Sequence, residues 1–273
     1  MPIRIEDLPS VCISLTRRND RWRRFADQSE VKALPNLRRF AAVDGKKIDL
    51  KSDPRINAFT KRNILAHTRR SHYELDSIGG VGCALSHIGV WKEFLDSGAS
   101  HMLVFEDDAI VYPGFVSKIN DALERIPEDF DLIVLTRAYK PENPSDAVLT
   151  SDFHLAKSFV LAHCYIITAK AAKIFYDEAL PISGHIDLYM SVQCNIKSLK
   201  MYASRQLASP QYQQGSDIVT KSRCFICDVP TDYERTMDLV PHWDLTLART
   251  SEILLGVVVF AYVSHQVFAW VRR

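Results

Sequence analysis

H-M-L-V-F-E-D-D-A-I-V-Y-P-G-F, from His101 to Phe115, decides how the chain is read. Met102 to Phe105 is a short apolar run with the length and content of a buried strand. Three carboxylates follow it, Glu106, Asp107 and Asp108, and Pro113-Gly114 then prevents continuation as strand or helix. Ligands of open α/β sheets bind just beyond the carboxyl ends of strands. Acids gathered there repel one another until a cation neutralises them, and oxygen-only donors suit Mg²⁺ or Mn²⁺. Strand alternation sets Glu106 and Asp108 on one face and Asp107 on the other. The expectation is therefore that Glu106 and Asp108 face a metal–diphosphate while Asp107 turns into the supporting loop. An acidic triplet alone reads equally as a solvated turn or helix start; the buried strand ahead of it gives it weight.

Immediately upstream, G-G-V-G-C-A-L-S-H-I-G-V-W-K-E-F-L begins at Gly79. Its glycines permit close backbone approach, and Ala84, Ile88, Trp91 and Leu95 recur at helical spacing as one buried stripe. Ser86 and His87 fall off that stripe. They are placed to contact a donor sugar or phosphate, and a lone His here also fits a structural hydrogen bond at a helix–sheet junction. Downstream, Phe115, Ile119, Leu123 and Ile126 form a second helical stripe ended by Pro127.

Further out, Val11 to Leu15 predicts a first strand. After it come Arg17, Arg18, Arg21, Arg23 and Arg24, with Asn19 or Asp20 placed to cap a short helix packed through Trp22, Phe25 and Ala26. Backbone N–H groups and arginine forks both bind phosphate oxygens; the same run also reads as a solvated cationic face. Leu37 to Val43 predicts a second strand, closed by Asp44-Gly45, and Lys46 to Tyr73 a loop-rich excursion over a site. Asp131 to Thr136 and Phe159 to Thr168 read as buried strands, the latter followed by a helix from Ala169 to Leu180. Alternating strands and helices imply a largely parallel sheet covered on both faces. Asp187, just past the S-G turn at Ser183-Gly184, is the best second carboxylate for chemistry, and capping the next helix is an equally simple role for it.

The 273 residues suffice for one large α/β domain. A net charge of +1 excludes a general nucleic-acid binder. No basic-plus-apolar leader opens the chain, and the six cysteines form no secreted-domain framework. Cys224-Phe-Ile-Cys227 lacks the second pair a zinc site needs. From Ile253 to Val271 there is no Asp, Glu, Lys or Arg; as a helix this stretch spans about 28 Å, near the roughly 30 Å of a hydrocarbon core. The expected organisation is a domain over residues 1–249 and a single-pass C-terminal anchor over 250–273. The domain would then face the cytosol with its cysteines reduced; a buried terminal helix is the bland alternative.

Taken together these pieces resemble glycosyltransferase family 25, the lipooligosaccharide and procollagen galactosyltransferase-like group. The matching text is V-C-I-S-L-T-R-R-N-D-R from Val11, A-A-V-D-G from Ala41, G-C-A-L-S-H-I-G-V-W-K from Gly82 and V-F-E-D-D-A from Val104. It continues with C-Y-I-I-T from Cys164, the Asp187 segment and S-D-I from Ser216. The sequence departs from the family at Gly80, where an acid is frequent, so no role for an acid is carried over there. The hydrophobic C-terminal segment is not a general family trait, and the leader and retention tail of the collagen-modifying members do not appear.

The resemblance implies a GT-A-like, Rossmann-like fold and inverting transfer of a sugar, galactose or glucose, from a nucleotide-diphosphate donor of the UDP-sugar class. The acceptor would be a hydroxyl on a glycan, lipooligosaccharide or protein. Glu106 and Asp108 would hold Mn²⁺ or Mg²⁺, with Asp107 supporting them or touching the donor. Arg18 and Arg21, with Ser14 and Leu15, would hold the nucleotide, and Asp187 would take the proton from the acceptor. Two rival readings keep the same residues. One is a catalytically inactive relative that binds a nucleotide sugar or a partner; the other is a metal-dependent phosphotransferase, disfavoured by the lack of a phosphate loop or serine elbow.

Overall fold

The computed structural model describes residues 3–71, 73–136, 153–204, 218 and 223–224. In chain order these form β1 (Ser10–Ser14), α1 (Asn19–Ala26), α2 (Ser29–Lys32), β2 (Leu37–Ala41), α3 (Ala58–Ala66) and β3 (Thr68–Arg69). Then come α4 (Ile78–Ser97), β4 (His101–Glu106), α5 (Phe115–Leu123), β5 (Leu132–Val134), β6 (Phe153–Leu155) and β7 (Cys164–Thr168). The last are α6 (Ala169–Glu178), α7 (Ile186–Ile196), β8 (Met201–Ser204) and β9 (Arg223–Cys224). Seven strands make one sheet in the order β2-β1-β4-β7-β5-β8-β6, and β3 pairs with β9 separately.

Strand alternation explains why these strands read as unbroken apolar runs: both faces of the sheet are covered. Val11, Ile13, Met102, Val104, Tyr165 and Ile167 face a core shared with α4, α6 and α7. Cys12, Leu103, Phe105 and Ile166 face the opposite core with Phe25 of α1, Val31 of α2 and the α5 stripe of Phe115, Ile119 and Leu123.

The expectation of a mostly parallel sheet is corrected. β1 runs parallel to β2 and β4, and β5 to β8, but β4–β7, β5–β7 and β6–β8 are antiparallel. The crossover through α5 does return β5 parallel to β4, as a helical connection should. It leaves a gap between them, however, and β7 fills that gap from the opposite direction.

Other expectations shift locally. The strand expected over Phe159 to Thr168 begins only at Cys164, because Leu161 at φ 70° breaks the extended run. The loop expected over Lys46 to Tyr73 contains α3, whose buried positions include Thr60 and Asn63 while Phe59 and Leu65 lie exposed, so it shows no apolar period. The Asn57 side chain starts it, accepting from the Phe59 and Thr60 N–H groups at 2.6 and 3.4 Å. Asn19 and Asp20 do not cap α1: the cap position is Arg18, and Asp20 sits in the first turn. The C-terminal anchor expected over residues 250–273 lies outside the described residues. Among those described, no helix is long and apolar enough to cross a membrane.

Candidate active site

β2, β1 and β4 are adjacent and parallel, so their carboxyl ends share one edge of the sheet. A cavity opens there, lined among others by Leu15 after β1, Arg21 of α1, Asp44 after β2, Glu106 at the end of β4 and Asp107 and Asp108 just after it. The start of α4 closes one side by backbone-to-backbone contact. A Cβ on Gly82 would stand 2.6 Å from the Val43 carbonyl oxygen, and one on Gly45 would stand 2.3 Å from that of Ile78. Ser86 stitches the same junction: its hydroxyl accepts from Val43 N–H at 2.9 Å and donates to the Gly82 carbonyl at 2.6 Å. It lines the cavity but has no accessible surface of its own.

The three acids do not divide as strand alternation predicts. β4 ends at Glu106, whose carbonyl accepts from Ala109 N–H at 3.1 Å in a tight turn. Asp107 and Asp108 belong to that turn and both meet the Arg21 guanidinium, at 2.6 and 2.9 Å, with all three side chains nearly buried. Glu106 lines the cavity on its α4 side, where His87 Nε2 lies 3.2 Å and Cys83 Sγ 3.9 Å from its Oε1. The pairing is thus Asp107 with Asp108, because a two-residue period applies only while the backbone stays extended.

Burial is the largest influence on Asp107, pushing its carboxyl above the usual range despite Arg21 and the Ser14 hydroxyl. Burial is the largest single influence on the Glu106 carboxylate and opposes its charge, but the hydrogen bond from His87 together with the positive potential of His87, His163 and Arg21 holds the group below the ordinary range. Ser14 is itself buried and accepts from Arg39 Nη2 at 3.0 Å, while the same guanidinium nitrogen donates to the Leu15 carbonyl at 2.7 Å. Arg39 also lies over the Trp22 ring, 5.3 Å from its centroid. Arg17 reaches Asp44 at 2.8 Å and ties the loops after β1 and β2 together. Arg18 turns to Asp20 at 2.9 Å and lowers that exposed carboxyl to about 2 through its hydrogen bond.

Asp187 stands in the first turn of α7 and is half-buried. Its Oδ2 accepts from Leu161 N–H at 2.8 Å. It does not line the cavity.

The sequence thus brings Leu15, Arg21, Ser86, Glu106, Asp107 and Asp108 to one cavity, with His87 and Ser14 buried beneath. Arg39, Arg17, Asp44 and Cys83 were not singled out as site residues. Arg17 carries a signal in the basic run after β1, and Cys83 in standing four residues before His87 in one helix; Arg39 carries none. Cys83, His87 and Glu106 place one donor atom each within 4.8 Å of one another, a group able to hold a metal ion.

Comparison with known proteins bears on what such a site does. The viral protein "Procollagen lysyl hydroxylase and glycosyltransferase" of Acanthamoeba polyphaga mimivirus is 32% identical over 131 residues, 41% of this chain and 14% of that one. "Procollagen galactosyltransferase 1" of Danio rerio is 25% identical over 198 residues, 70% of this chain and 32% of that one. "Inactive glycosyltransferase 25 family member 3" of Homo sapiens is 33% identical over 144 residues, 48% of this chain and 22% of that one. The chain therefore spans about a third or less of each of these relatives. The sequence model "Glycosyltransferase family 25 (LPS biosynthesis protein)" matches residues 8–190, which hold the cavity lining except Ile218, its acids and Asp187. With more than half of its length accounted for in this way, the chain belongs to glycosyltransferase family 25.

Proposed function

We propose that the chain transfers a hexosyl group from a nucleotide-diphosphate sugar of the UDP-sugar class to a hydroxyl of a glycan, lipooligosaccharide or protein acceptor, with inversion. The observation that carries this reading is the convergence of three carboxylates and one buried arginine on a cavity at the carboxyl edge of parallel strands. A divalent ion, Mn²⁺ or Mg²⁺, fits this donor set: the ligands offered are oxygens, and the acids already require a cation, which Arg21 supplies in part. Glu106, Asp107 and Asp108 would hold the ion, which when bound supplies positive charge against the departing diphosphate.

The chain's own groups do the rest. Arg21 is long enough to serve either the aspartates or a phosphate, and a guanidinium fork suits both. Arg39 fixes the Leu15 carbonyl and the Ser14 hydroxyl, so the floor under a nucleotide is set before it binds. Asp187 would accept the proton of the attacking hydroxyl. Anchoring by residues 250–273, with the domain facing the cytosol, completes the reading and rests on the hydropathy of that segment alone.

The test is donor turnover and thermal shift across UDP-, GDP- and CMP-sugars with and without Mn²⁺. A Tm rise specific to one UDP-sugar with Mn²⁺ is expected, since a ligand selective for the folded state raises stability. Turnover should be lost in Asp108→Asn and in Asp187→Asn. Undiminished metal-dependent turnover in Asp108→Asn would overturn the assignment. A second reading, donor binding without transfer, draws on the engagement of Asp187 by the Leu161 N–H and on the human relative described as inactive. Donor affinity with no turnover on any acceptor would select it.

A further inference from the structure

The G-C-A-L-S-H-I-G-V-W segment and the E-D-D segment are separated in sequence, yet one buried chain of polar atoms connects them. Trp91 Nε1 lies 3.1 Å from the Tyr165 hydroxyl, which lies 2.9 Å from His87 Nδ1, and His87 Nε2 lies 3.2 Å from Glu106 Oε1. Trp91, Tyr165 and His87 have no exposed surface. Trp91 stands four positions after His87, about one helical turn, so both reach the same hydroxyl on the neighbouring β7.

The direction of every bond follows from the chemistry of its ends. An indole N–H can only donate, so the Tyr165 oxygen accepts from Trp91. Burial keeps the phenol protonated, and among the described residues His87 Nδ1 is the only acceptor in reach of its proton. Nδ1 is then a bare acceptor, the ring proton sits on Nε2, and Nε2–H donates to Glu106. The opposite tautomer would strand the hydroxyl proton and set a bare nitrogen against a carboxylate. A doubly protonated ring would strand the hydroxyl proton as well. Each leaves a buried polar group unsatisfied, which is costly.

We propose that Trp91, Tyr165 and His87 are positioning residues: a one-way hydrogen-bond chain that fixes the His87 tautomer and thereby aims the Glu106 carboxylate into the cavity. This rests on Glu106 being a working carboxylate of the site. It also decides against reading Cys83, His87 and Glu106 as a metal centre, because a metal on Nε2 would move the ring proton to Nδ1.

The first measurement needs no activity. ¹⁵N imidazole shifts of the full chain, with the His87 signal assigned by its loss in His87→Asn, should report protonated Nε2 and bare Nδ1. Protonated Nδ1 in the wild type would overturn the proposal, and it is also the outcome a bound metal would give. The second uses Tyr165→Phe, which keeps the ring and removes only the hydroxyl. It should lower kcat about tenfold or more, the size seen when a supporting hydrogen bond is removed, with donor KM within about threefold. In a Glu106→Gln background it should have no further effect, since residues acting through one another are non-additive. Full additivity would overturn the proposal. If no variant or wild type turns over any donor, the proposed activity fails while the tautomer result still stands or falls alone.

Discussion

Removing the Arg21 guanidinium is the most direct probe of the acidic turn. In Arg21→Met the apolar stem survives while Asp107 and Asp108 lose the cation they share at 2.6 and 2.9 Å. Side-chain exposures of 10% for Arg21, 7% for Asp107 and 8% for Asp108 place all three in the buried regime. Breaking such a pair from one side costs about 3–5 kcal/mol, against roughly 0–1 kcal/mol at the surface. The larger figure is expected here, a substantial part of the roughly 5–15 kcal/mol that keeps a domain folded. The pH dependence follows from the same charges. Burial already raises the folded-state pKa of Asp107 above its unfolded value, and loss of Arg21 raises it further. The folded form then binds more protons than the unfolded one, so the variant is least stable above that raised pKa and regains stability as pH falls through it. Urea titrations of wild type and variant by circular dichroism at pH 8 and pH 5 measure both quantities. Millimolar Mn²⁺ should restore stability to the variant more than to the wild type. A deficit under about 1 kcal/mol at pH 8, or one that does not shrink as pH falls through the raised Asp107 pKa, refutes the description of this cluster as buried and cation-dependent.

Gly82→Ala should destabilise by about 1–3 kcal/mol despite its better helix propensity, since its Cβ would meet backbone atoms of Val43 and Gly45 at 2.6 and 2.9 Å. Gly80→Ala should cost less, because its nearest obstacle is a side-chain methyl of Leu75 rather than backbone; equal midpoints in denaturant would contradict this contrast. Leu161→Gly should be neutral to stabilising by roughly 1 kcal/mol, as it relieves a left-handed backbone at φ 70° on a largely exposed side chain; a clear drop in Tm counts against it. Burial pushes the thiols of Cys12, Cys83 and Cys164 well up and that of Cys194 to about 12. Mass spectrometry should therefore find the buried Cys12, Cys164 and Cys194 unmodified by iodoacetamide at pH 8 until urea is added, and labelling at the unfolded rate in native buffer would show otherwise.

What was legible in the sequence was whatever repeats along an element. The run Met102 to Phe105 and the stripe Phe115, Ile119, Leu123 declare a strand and a helix, and both are found there. The acids ending β4 were legible as a site because a buried strand delivers them to a sheet edge. The rest depends on partners distant in sequence. Nothing local tells β7 to run antiparallel, since its apolar content suits either direction. His87 and Ser86 look solvent-bound by type, and only Tyr165, Glu106 and the Val43 backbone account for their burial. Arg39 sits among exposed arginines, and only the fold shows it holding the end of β1.

The reversed strand between β4 and β5 also constrains how the chain can be made. Strands β2, β1 and β4 with α4 are complete in sequence by Glu106, but the free edge of β4 is covered only when Cys164–Thr168 arrives. Until then a fully apolar strand, Met102 to Phe105, offers unsatisfied backbone groups to any passing polypeptide. A nascent chain halted before Thr168 should consequently be a strong client for chaperones and prone to clump, and the hazard passes to the open edge of β5 until Met201–Ser204 pairs with it.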